Sequence, residues 1–122
     1  MALLTGSNKI KTAVFISGTG SNLKSLIQFS KLKKSPIVIE MIISNNAKSK
    51  GLQYANIYKI KKRVFDFKNS LSEKVIIDEL KQNNINLICL AGFMKILSKS
   101  FIKNFKGKNY KVPIYEDNKL FK

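Results

Sequence analysis

The sequence predicts an α/β fold built on a doubly wound, mostly parallel sheet. Three observations carry that prediction. Apolar runs of strand length alternate with segments of helical periodicity. The segments between successive apolar runs are long enough for parallel crossovers. A glycine-rich turn, Ser17-Gly18-Thr19-Gly20-Ser21-Asn22, joins the first apolar run to the first helical segment.

Taken in order, Lys9 to Ser17 contains Thr12-Ala13-Val14-Phe15-Ile16, a buried-strand pattern. Ser21 or Asn22 is placed to cap the helix that follows. Leu23, Leu26 and Ile27, with Phe29 at the margin, give that helix an apolar stripe as far as about Leu32. Pro36 breaks the chain, because it lacks an amide donor and restricts its neighbour. Ile37 to Ile43 is a second strand; Glu40 inside it points to an edge or a strand end. Ser44-Asn45-Asn46 is turn chemistry.

A helix is expected from roughly Ser49 to Lys59, with Leu52, Ala55 and Ile57 inward, followed by a short strand at Arg63-Val64-Phe65. Ser70 or Ser72 then opens an amphipathic helix carrying Val75, Ile76, Ile77 and Leu80. Ser70 and Glu73 have capping-box spacing, and the helix ends near Asn83-Asn84. Asn86 to Ala91 is a fourth strand, broken by Gly92. Phe93 to Leu97 form a compact loop, and Ser98 or Ser100 leads into a helical piece with Phe101, Ile102 and Phe105. From about Lys106 the pattern decays. Val112-Pro113-Ile114-Tyr115 suits a short edge segment only, since Pro113 excludes an interior strand. The expectation is a sheet that stops at about four strands, with the fourth strand's edge unpaired and open to self-association.

Composition narrows the function. The 122 residues suit one domain and carry a formal charge of +16. Nearly all of the positive charge is Lys, spread along every element, and Arg63 is the only Arg. Base and phosphate readout favours Arg, so the charge reads as a solvated surface rather than a specific nucleic-acid site. The lone Cys89 lies in an apolar run and reads as a buried, inert thiol; with no intrachain disulfide possible, a reducing, cytoplasmic setting is expected. There is no His, which removes the usual general base near neutral pH, and with one Cys and few carboxylates a structural zinc site is improbable. No apolar run has the eighteen or so residues of a membrane span, and the start of the chain does not read as a signal peptide.

The glycine-rich turn is the strongest chemical signal. A strand, a turn with Gly18 and Gly20, and a helix present backbone amides at a positive helix end. Ser21 and Asn22 add side-chain donors, and a phosphate monoester suits the arrangement. A plain strand-helix turn is the alternative. Two familiar phosphate loops are excluded. Leu23 stands where a dinucleotide fingerprint needs its third Gly, with no acidic residue closing the second strand. No Gly-Lys-Ser or Gly-Lys-Thr triplet of a P-loop occurs. A second constellation, Leu90-Ala91-Gly92-Phe93-Met94-Lys95-Ile96-Leu97-Ser98, sits at the carboxyl end of the fourth strand, where open sheets place their ligand crevice. Its alternative is loop packing over the sheet.

Ile16 to Leu23 and Leu90 to Ser98 together resemble the phosphoribosylglycinamide formyltransferase family of purine biosynthesis, as do Ile43-Ser44-Asn45-Asn46-Ala47 and Gly51-Leu52. The likeness covers roughly residues 9–107. It implies a formyltransferase-like, Rossmann-like fold and formyl transfer from the co-substrate 10-formyltetrahydrofolate to glycinamide ribonucleotide. By the resemblance, Gly18, Thr19, Gly20, Ser21 and Asn22 hold the substrate phosphate. Leu90, Phe93, Met94, Lys95, Ile96 and Leu97 wall the folate pocket, with Lys95 where the family usually has Arg.

The family continues into an Asn-Ile-His-Pro-Ser run and a later catalytic Asp. This chain has Lys108-Asn109-Tyr110-Lys111-Val112-Pro113 there, and neither Asn109 nor Asp117 lies in a matching motif. The sequence is therefore divided into an N-terminal extension (1–8), a phosphate-binding half (9–107) and an atypical tail (108–122), and is read as a truncated enzyme without its own catalytic residues. The alternatives are a catalytically dead phosphate or nucleotide-binding module and a basic nucleic-acid-binding protein.

Overall fold

Ile10–Ile16 forms β1, and every residue from Thr12 to Ile16 is closed to solvent. That burial follows from its place at the middle of a five-stranded sheet. The other strands are β2 (Ile37–Ser44), β3 (Lys61–Val64), β4 (Leu87–Leu90) and β5 (Ile114–Glu116). Their order is β3-β2-β1-β4-β5, and each neighbouring pair is parallel. The computed structural model describes residues 9–106 and 114–116; the expected extension (1–8) and the tail, apart from β5, lie outside the described residues.

The two faces of β1 explain the double winding. Val14 and Ile16 pack with Leu23 and Ile27 of α1 (Ser21–Ser30) and Ala55 of α2 (Gln53–Ile57). Ala13 and Phe15 pack on the opposite side with Ile76 and Leu80 of α3 (Ser70–Gln82) and with Phe101 and Phe105 of α4 (Lys99–Lys106). Alternate residues of one strand thus feed two cores, as a strand covered on both faces requires. The Phe15 ring meets Phe93 edge-on, with centroids 5.4 Å apart, and also meets Phe67 and Phe101. Edge-on pairs of this kind add to the area they bury.

The sheet departs from expectation at both edges. A short fifth strand joins the four at the edge, overlapping the expected edge segment, and β4 is therefore not an open edge: Ile88, Cys89 and Leu90 pair with Ile114, Tyr115 and Glu116. Three residues with a preceding Pro carry little strand signal of their own, so it is the pairing that makes β5 a strand. At the other edge, β3 begins at Lys61 rather than Arg63, and all four of its residues are exposed. Lysine on an edge strand discourages pairing with another chain. Glu40 is accommodated twice over. Pairing of β1 with β2 slips between Thr12↔Ile39 and Ala13↔Met41, leaving Glu40 as the extra residue of a bulge, and β3 pairs only from Met41 onward.

The helices also refine the sequence reading. The stretch from Ser49 is a short 3-10 turn, Lys50–Leu52, and then α2. Leu52 and Ala55 are buried, but Ile57 is exposed, as are Phe29 of α1 and Val75 of α3. Lys59 and Asn84 take positive φ just past α2 and α3. The amide of Ile60 then donates to Ala55 O and that of Ile85 to Leu80 O, the bond pattern of a left-handed helix cap. The cap at the start of α3 is Asn69, which accepts from the Ser72 amide at 2.9 Å; neither Ser70 nor Ser72 fills that place. Ser98 caps α4 by accepting from the Phe101 amide, and its hydroxyl donates to Glu73 Oε1 at 2.7 Å, tying the starts of α3 and α4 together.

Candidate functional site

Strand order locates the crevice. The chain runs outward from β1 through β2 to β3, then returns to place β4 on the other side of β1. The direction of winding therefore reverses between β1 and β4, and ligands of open α/β sheets bind beyond the carboxyl ends of strands at such a reversal. The segments leaving those two ends are the glycine-rich turn and the Gly92–Leu97 loop. Two motifs more than seventy residues apart in sequence are brought side by side.

One hydroxyl holds them together. Ser17 Oγ accepts from the Met94 amide at 2.8 Å and donates to Asn45 Oδ1 at the end of β2. The Ala91 amide donates to Phe15 O at 2.9 Å, which continues the β1–β4 pairing up to the crevice. A small polar residue at position 17 thus links the ends of three strands.

The turn itself is shaped by close backbone approach. Gly20 is the N-cap of α1, with φ 83° and ψ 22°. A Cβ added there would lie 2.6 Å from Gly51 Cα and 3.3 Å from the Tyr54 ring. Neither Ser21 nor Asn22 is the cap, contrary to expectation, because the geometry at position 20 is one that only glycine takes at low cost. Gly20 has no side chain to accept from the first-turn amides, and no acidic residue lies in that turn. In the same molecule α3 has both, Asn69 as cap and Glu73 in its first turn. The positive end of α1 is thus left without an anionic partner from its own first turn. Gly18, Thr19, Ser21 and Asn22 are all exposed around it, while Gly20 is buried.

The expected folate-pocket residues divide into two groups. Leu90 and Phe93 belong to the core around Phe15, and Leu97 packs against that core. Met94, Lys95 and Ile96 project into solvent, Ile96 being 93% exposed. A separate cavity of about 380 Å³ is lined by α3 and α4, including Glu73, Lys74, Asp78 and Asn104, and by no residue of the glycine-rich turn. Cys89 is buried in β4, and desolvation raises its thiol pKa to about 11, so it holds no reactive thiolate near neutral pH. Sequence reasoning did not single out Ser49 or Tyr54, which back the turn from the second strand's side. Nothing local marks them, since their role depends on where β2 ends relative to β1.

The family model of the formyl transferases matches residues 10–112. The chain belongs to this formyl transferase family. The trifunctional purine biosynthetic protein adenosine-3 of Gallus gallus is 42% identical over 106 residues, which are 84% of this chain and 11% of that protein. The phosphoribosylglycinamide formyltransferase of Haemophilus influenzae is 40% identical over 102 residues, 80% of this chain and 48% of that one. Among solved structures, phosphoribosylglycinamide formyltransferase from Brucella melitensis superimposes with a TM-score of 0.76 at 32% identity, covering 81% of this chain and 54% of its own. The chain spans about half the length of the single-function relatives it matches. The fold is therefore the family's Rossmann-like fold, and the match includes both loops at the crevice. No helix among the described residues is long and apolar enough to cross a membrane.

Proposed function

We propose that this chain carries the phosphate-holding part, and one wall of the folate pocket, of a phosphoribosylglycinamide formyltransferase acting in the cytoplasm. In this reading Gly18, Thr19, Gly20, Ser21 and Asn22 cradle the phosphate of glycinamide ribonucleotide at the start of α1. The segment from Leu90 to Leu97 meets the pterin of 10-formyltetrahydrofolate. With Leu90 and Phe93 committed to the core, recognition there falls to main-chain groups, and Met94, Lys95 and Ile96 lie at the rim. Residues 9–107 form the binding half, and the catalytic groups lie outside it.

The observation that carries the proposal is the junction at Ser17. It places a helix end suited to a phosphate beside the loop after β4, at the reversal point of the sheet. Formyl transfer needs these two ligands next to each other, since the substrate amine attacks the formyl carbon and proximity supplies much of the rate.

The test is a titration of the isotope-labelled chain with glycinamide ribonucleotide, read by amide NMR. Saturable shifts at Thr19 to Asn22, lost in Gly20→Val, are expected. Uniform shifts across surface lysines that vanish with salt would instead mark a basic nucleic-acid binder and overturn the proposal.

A further inference from the structure

The glycine-rich turn is steered from outside itself. Gly18 has no Cβ, and one built there would meet nothing within 4 Å, so no side-chain packing at position 18 holds the turn. Two groups of the segment after β2 fix it instead. Ser49 Oγ donates to Gly18 O at 2.6 Å, and the Gly51 amide donates to the same oxygen at 2.9 Å. Both residues are buried.

The segment is braced on its own side as well. Ser44 Oγ donates to Asn46 O and accepts from the Asn46 amide, the Lys48 amide donates to Asn46 Oδ1, and the Ser49 amide donates to Asn46 O. Gly51 is a glycine for room rather than for φ. A Cβ there would come within 2.7 Å of Ile16 Cδ1 and 2.9 Å of Gly20 Cα.

We propose that Ser49 and Gly51 are positioning residues for the phosphate site, acting by locking the Gly18 carbonyl toward themselves. This rests on the phosphate reading above. In a trans peptide the C=O and the N–H point in opposite directions. Holding Gly18 O on Ser49 and Gly51 therefore turns the Thr19 N–H to the other side of the turn. It also keeps a carbonyl dipole from rotating toward a bound anion, where it would repel. Without the lock, a glycine at position 18 widens the range of that rotation.

The experiment compares the wild type with Ser49→Ala and Ser49→Thr, each titrated with inorganic phosphate while the amides of Thr19, Gly20 and Ser21 are followed by NMR. Wild type should show saturable shifts at these amides. Ser49→Ala should bind phosphate about fivefold more weakly, the equivalent of one lost hydrogen bond of about 1 kcal/mol. Ser49→Thr, which keeps the hydroxyl, should return to near wild-type affinity; a merely structural role would not track the hydroxyl in this way. Equal affinity in wild type and Ser49→Ala, or a Thr variant as weak as the Ala variant, overturns the lock and leaves the phosphate site standing. Absence of any saturable shift in the wild type overturns the phosphate reading and the lock with it.

Discussion

Gly20 is constrained twice, by a φ of 83° and by the Gly51 backbone against it. Its replacement by Ala should cost about 2–5 kcal/mol, the sum of a left-handed backbone penalty and local overpacking. Urea denaturation of Gly20→Ala should show that loss, and phosphate binding should fall with it. Cys89 makes a different residue-scale prediction. Its pKa is raised by burial from 9.0 to about 11, so between those values the unfolded thiol ionises while the folded one stays protonated. The unfolded state then binds fewer protons, and stability falls as pH rises through that window, by about 3 kcal/mol in total; below it the thiol contributes no pH dependence. Urea midpoints measured across the window should drop more steeply for the wild type than for Cys89→Ala, in which that component of the slope is missing. At this scale the sequence was only partly readable. Glycine at 18 and 20 marked the turn, but the cap at Gly20 and the part played by Ser49 come from a contact between two loops that no local pattern encodes.

The elements were most legible where burial alone decides them. Ala13–Ile16 and Leu87–Leu90 are continuous apolar runs and both lie in strands. β3 and β5 were harder. Lys61 and Lys62 show no apolar pattern because an edge strand need not bury its side chains, and β5 is defined by its partner. α3 begins at Ser70, the first of the two starts the sequence offers (Ser70 or Ser72), yet its cap lies one residue earlier, at Asn69. Asn69→Ala should therefore destabilise the fold by about 1 kcal/mol, and Ser70→Ala by far less. Thermal melts of the two variants would separate them; an equal effect would contradict the Asn69 Oδ1 bond.

At the scale of the molecule, the doubly wound α/β class was readable from alternation alone, and two loop motifs in order pointed to the family. The last strand was legible only as a short edge segment, because it follows a Pro and a stretch with no periodicity. The 122 residues contain no His. An imidazole that could polarise a carbonyl is therefore not among these residues, and such electrostatic help is worth several kcal/mol in a transition state. The purified chain should bind phosphate yet show no formyl transfer; measured turnover that disappears in Asn109→Ala would refute that expectation. Self-association should run through the β5 side rather than β3, where Lys61 and Lys62 are exposed and repel a second copy. Added salt screens the repulsion between two chains of formal charge +16, so sedimentation should report more association at high ionic strength than at low.

The placing of β1 has a consequence for how the chain acquires its structure. β1 is made before β4, yet the two pair directly: Thr12 lies opposite Leu87, 75 residues further along the chain. Closing so distant a pair carries a large entropic barrier, which slows refolding relative to helical proteins of the same size. During synthesis the β1–β2 pair can zip early, while the far flank of β1 must stay uncovered until β4 has left the ribosome. That interval is when a nascent chain of this topology is most exposed to wrong neighbours.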